Sequence, residues 1–218
     1  MLLSDQSPDG SWHQDTAATL KHLFGLHLTV RSSNAQIEAA LTWLLKHIEI
    51  QTNKVQINAK DVATVSDLTD LPFVSGRADI LLTAVTLFLC SIFNRENDPD
   101  VLAVYRWLSA HGIKNKGMWF DRASSHNILR AMVVHPVFAK DKATVLAVED
   151  LADLQIDDGG WGEAQESALA REYIQADNSV VDQTAWSIIA LLNGGYAEDP
   201  RLIKAINWLI DQQLEDGD

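Results

Sequence analysis

Two aspartates stand where a carboxyl could do chemistry. Asp15, in WHQDTAAT, and Asp182, in VVDQTAW, each lie at the head of an apolar helical run, close before a Thr-Ala pair. A carboxyl so placed is a candidate proton donor to a bound substrate. The more ordinary role for it is to cap the helix by accepting backbone N–H groups of the next turn. A single carboxylate lacks the neighbours that turn an ordinary acid into a strong one. Asp157 and Asp158 are adjacent in LQIDDGGWGE and read as turn formers rather than as a catalytic pair.

The seven histidines are scattered and the sole cysteine, Cys90, lies within an apolar run. Nothing points to a metal or a cofactor. His126, in SSHNILRAM, begins a helix of the buried kind, and Trp186 sits in another. Both are candidates to line a pocket, with a satisfied structural role as the alternative for His126. The sequence contains no glycine-rich phosphate loop and no nucleophile elbow, and LLNGG at 191–195 reads as a helix C-cap.

The elements that must position these residues are helices. Apolar residues recur at spacings of three and four in AATLKHLFGLHL, NAQIEAALTWLLKHI, PDVLAVYRWLSAHGI, KATVLAVEDLADLQ, QTAWSIIALLN and DPRLIKAINWLIDQQL. Some helices are apolar or small all round, as at 80–93 and 185–192, and should be enclosed by protein. Others are amphipathic, as at 200–214. The two kinds alternate, which predicts a curved array of helical hairpins with an inner and an outer layer. Only NKVQINAKDVATVSDL has a strand-like flavour.

The joints between hairpins repeat. Gln6, Gly10 and Trp12 recur as Gln155, Gly159 and Trp161, as Gly117 and Trp119, and as Gln213 and Gly217. Each joint follows an outer-type helix. Glutamine is suited to bind loose backbone groups at a helix start. Glycine tolerates the tight turn. Tryptophan covers the gap and brings one N–H to satisfy. About four hairpins fit in a single domain of 218 residues, with an insertion at 51–77 that has room for a short extra helix.

Composition narrows the partners. A net charge of −13 argues against nucleic acid and against an anionic membrane held by bulk charge. A neutral, greasy ligand remains compatible. The first ten residues lack the basic and apolar regions of a secretory signal, and 80–93 is short for a membrane span. The expectation is a cytoplasmic protein, with peripheral membrane attachment the alternative.

The recurring glutamine, glycine and tryptophan resemble the repeat motif of the squalene–hopene and oxidosqualene (triterpene) cyclases. The closest tract, residues 149–218, resembles the C-terminal part of those enzymes in residue order and spacing. The resemblance implies an all-α fold, an α/α-hairpin toroid shared with protein prenyltransferases, here an incomplete barrel. It implies an isoprenoid or hydrocarbon ligand and a proton-initiated cyclisation that needs no cofactor. The family's donor motif is Asp-x-Asp-Asp-Thr-Ala. Asp15, Thr16 and Ala17 match it, while Trp12 and Gln14 stand where the other acids would be. Within the family, Gly-Trp-Gly-Glu belongs to the scaffold and its rim, which assigns Glu163, and Glu166 beside it, to that rim. The alternative is a non-catalytic scaffold that binds an isoprenoid or a protein. An open arc of inner helices would be covered by a second copy or by the rest of a larger parent chain.

Overall fold

A computed structural model describes residues 5–30, 32–47, 49–51, 54–56, 68, 71, 73, 78–164 and 173–214. Eight α-helices lie among them: α1 (Thr16–Thr29), α2 (Ala35–His47), α3 (Ala78–Ile92), α4 (Pro99–Lys114), α5 (Arg122–Val134), α6 (Lys142–Ala152), α7 (Val181–Asn193) and α8 (Pro200–Asp211). The fold is all-α, as expected. The strand-like stretch supplies one small hairpin, β1 (Glu49–Gln51) against β2 (Lys54–Gln56), with Ile50 paired to Val55. The rest of the expected insertion lies almost entirely outside the described residues, as do Glu166 and Gly217. Among the described residues no helix is long and apolar enough to cross a membrane.

The helix starts are written locally. Asp15, Asp121, Asp141 and Asp199 cap α1, α5, α6 and α8, each carboxylate accepting a backbone N–H of the first turn. Pro99 and Pro200 open α4 and α8, where the missing N–H costs nothing. α7 differs, because its cap is Val180, which offers no side-chain hydrogen bond. Asp182 therefore stands inside the first turn, where its charge complements the helix dipole.

The chain divides into two compact units, with described residues up to 108 in the first and from 109 in the second. In the first, α1 packs on α2 and on α3. Leu20, Leu23, Ile37, Leu41, Leu44, Leu82 and Val85 are buried there. α3 is nearly enveloped, as its composition predicts, and Cys90 is buried in it, the thiol pushed up to about 12 by desolvation. Tyr105 of α4 donates its hydroxyl to the Leu87 carbonyl at 3.0 Å.

In the second unit α5 packs on α6 and α7, and α7 on α8. Every residue of α5 from Ala123 to Val133 is buried. α7 departs from expectation. Its apolar composition predicts envelopment, yet Ile189 and Leu192 are 48% and 46% exposed. Composition alone cannot tell how many faces of a helix find a partner within its own unit.

Both units use the same joint. Gln6 donates its side-chain amide to the carbonyls of Gly10 and Gln36, each at 2.8 Å. Gln155 donates to Gly159 at 2.7 Å and to Arg201 at 2.8 Å. The amide thus skips the next helix in sequence and fastens to the first turn of the one after it. Asp9 and Asp158 close the turn by accepting the N–H groups of Ser11 and Gly160. Gly10 and Gly159 have φ of +97° and +119°. Gly10 lies so close to α2 that a Cβ would sit 2.5 Å from the Ala39 carbonyl oxygen.

The tryptophans are held by hydroxyls of the inner helices. The backbone N–H groups of Trp12, Trp119 and Trp161 donate to Thr19, Ser125 and Thr184 at 3.0, 2.8 and 2.9 Å. All three rings are buried. Trp161 satisfies its indole N–H on the Leu151 carbonyl at 2.7 Å. Trp12 stacks on His22 at 4.8 Å, and its indole N–H finds no acceptor among the described residues.

Candidate functional site

The two carboxylate candidates lie in different units. Asp15 accepts the Ala18 N–H at 2.7 Å and is half-buried. Its carboxylate serves as the cap of α1. Asp182 is exposed.

His126 and Trp186 come together. Both border a small space in the second unit, along with Arg130, Tyr173, Gln183 and Ser187. His126 and Arg130 are one helical turn apart on α5 and so share a face. The Arg130 guanidinium lies over the Trp186 ring, 4.3 Å from its centre. The Tyr173 ring meets His126 edge-on at 5.1 Å. Its hydroxyl donates to the Gly162 carbonyl at 3.1 Å, which ties the cluster to the Trp161 joint. Arg122 lies 5.9 Å from the centre of the other aromatic partner, Tyr173, and pairs with Asp150 at 2.8 Å. Gln183 accepts the Glu163 N–H at 2.7 Å, so Glu163 is held by its backbone to α7.

Burial dominates the electrostatics. His126 is 7% exposed and its Nε2 finds no hydrogen-bond partner among the described residues. Desolvation, with the charges of Arg130 and Arg122, pushes its imidazole down to about 3. It is neutral at pH 7. Desolvation also lowers the Arg130 guanidinium to about 9, against the pull of Asp182 and Glu163. Burial raises the Tyr173 phenol to about 12.

The cluster can therefore hold a cation against aromatic faces, but it is not a proton donor at neutral pH. Its free space is about 10 Å³, the room of roughly one water. Among the described residues no group of three His, Cys, Asp or Glu could hold a metal ion.

Arg130 and Tyr173 are not singled out by the sequence. An arginine in a helix with apolar stretches reads as a surface residue whose stem lies along the protein. The available signal is its spacing of four from His126 on a helix whose other residues, Arg122 and Asn127 apart, are small or apolar.

The all-α fold agrees with the family that the chain matches. The family model described as the squalene-hopene cyclase C-terminal domain matches residues 51–218. Lanosterol synthase of Candida albicans is 34% identical over 102 residues, 47% of this chain and 14% of that protein. Squalene–hopene cyclase of Zymomonas mobilis is 33% identical over 127 residues, 55% of this chain and 19% of that protein. The chain thus spans about a fifth or less of the length of these relatives.

Proposed function

We propose, from the premise that the chain belongs to the squalene–hopene cyclase family, that it takes part in proton-initiated cyclisation of a squalene-type polyprene. It does so as a portion or a reduced relative of such a cyclase. The observation that carries this reading is the joint itself. Gln6 with Gly10 and Trp12, and Gln155 with Gly159 and Trp161, make the same bonds to equivalent atoms. At these two joints the recurring glutamine, glycine and tryptophan are therefore a physical device and not only a pattern of letters.

In this reading the hairpins form a wall against which an apolar chain folds. The work of such a wall is orientation and exclusion of water. Asp15 is the residue in the donor register. A lone carboxyl protonates an epoxide oxygen more readily than an alkene, so the 2,3-epoxide of squalene is the easier substrate for it. Asp15 also caps α1, and that double duty favours a second reading, a non-catalytic isoprenoid-binding or protein-interaction scaffold.

The test is incubation of the purified protein with squalene and with its 2,3-epoxide, followed by mass spectrometry of the products. Cyclic product that disappears in Asp15→Asn supports the cyclase and assigns the donor. Bound polyprene without product supports the scaffold. Neither product nor binding overturns both.

A further inference from the structure

The joint at residues 113–120 has lost the parts that close the other two. In register, Ile113 replaces Gln6 and Gln155, and Lys116 replaces Asp9 and Asp158. Met118 stands where Ser11 and Gly160 stand, and Phe120 where His13 and Gly162 stand. The amide and the carboxylate that bond inward elsewhere have become an apolar group and a cation. What remains is an open groove of about 520 Å³ lined by His111, Lys114, Asn115, Lys116, Met118 and Phe120.

The groove has a flat apolar side and a cationic rim. Phe120 is 44% exposed and stacks on His111 at 5.4 Å, with the rings within 25° of parallel. Its φ is +64°, in the left-handed region, as is that of His13 at +57° in the same place of the first joint. Lys116 is also left-handed, at +55°. Lys114 and Lys116 are exposed and enter no ion pair among the described residues, in a chain with 30 acidic side chains and 17 lysines and arginines. Lys114 complements the C-terminal dipole of α4. Lys116 lies beyond the helix end and has no such explanation.

We infer that this groove binds a small organic anion, a carboxylate or a phosphate joined to a flat apolar body. The ring offers a stacking surface and the two ammonium groups meet the anion. The volume lies within the usual range for small-molecule sites. This site is independent of polyprene cyclisation.

Calorimetric titration at low ionic strength tests it, with phenyl phosphate, phenylacetate, inorganic phosphate and benzyl alcohol as probes. At least one aromatic anion should bind about tenfold more tightly than either inorganic phosphate or benzyl alcohol. The stronger of the two aromatic anions identifies the headgroup. The pair Lys114→Gln and Lys116→Gln, and separately Phe120→Gly, should each weaken that binding by about tenfold. Glycine suits φ +64° without strain, so Phe120→Gly keeps its fold, and an unchanged Tm verifies this. Equal affinity for all four probes, unchanged affinity in the variants, or no aromatic anion bound at about 10 mM would overturn the inference.

Discussion

The side-chain amide of Gln155 donates to the carbonyl of Arg201 at 2.8 Å, across 46 residues of sequence. Gln6 makes the same bond to Gln36 across 30. In each case the acceptor lies in the first turn of the outer helix of the following hairpin. Replacing Gln155 with Ala removes this bond and the one to Gly159 together. The loss should lower unfolding free energy by about 1–3 kcal/mol, read by urea denaturation. An unchanged midpoint would show that the amide is an ornament rather than a fastener.

Gly10 and Gly195 separate two reasons for a glycine. Both have positive φ, +97° and +94°. A Cβ at Gly10 would strike the Ala39 backbone, whereas one at Gly195 meets nothing within 4 Å. Gly195→Ala should cost about 1 kcal/mol of backbone strain. Gly10→Ala should cost about 3 kcal/mol, because overpacking adds to that strain. Thermal melts of the two variants check the difference. Equal costs would mean that the joint does not need its close approach to α2.

His126 makes stability depend on pH. Its folded value is depressed to about 3, so between there and about 6.5 the unfolded chain binds a proton that the folded chain does not. Stability contributed by the neutral ring is complete above about pH 6.5 and is lost as pH falls towards 3. The total is a few kcal/mol at about 1.4 kcal/mol per unit. Denaturation series at pH 7, 5 and 4 should show this slope, and His126→Gln should flatten it. An equal slope in the variant would place the proton elsewhere.

Arg130 over Trp186 tests the planar contact. Lysine at position 130 keeps the charge and loses the flat guanidinium face. Arg130→Lys should cost about 1–2 kcal/mol, and Trp186 fluorescence should shift as the ring loses its cover. Full stability with unchanged emission would mean that the stacking contributes nothing.

How much of this was legible in the sequence follows from how local each interaction is. The joints were legible because Gln, Gly and Trp each do a job that few other residues do at that spacing. Asp15 was legible as a cap because a cap bonds only to its own helix. The acceptors of Gln6 and Gln155 were not, because they lie on helices at two different separations. Arg130 was hidden because burial of a cation depends on Trp186, 56 positions away on another helix. The exposed face of α7 was hidden for the converse reason, since Ile189 and Leu192 are apolar yet about half exposed.

The central claim is that these hairpins handle a polyprene, and incubation with squalene and its 2,3-epoxide tests it most directly. Mass spectrometry should detect a cyclic triterpene, more abundant from the epoxide and absent in Asp15→Asn. Intact starting material from both, with neither retained by the protein, would contradict the account.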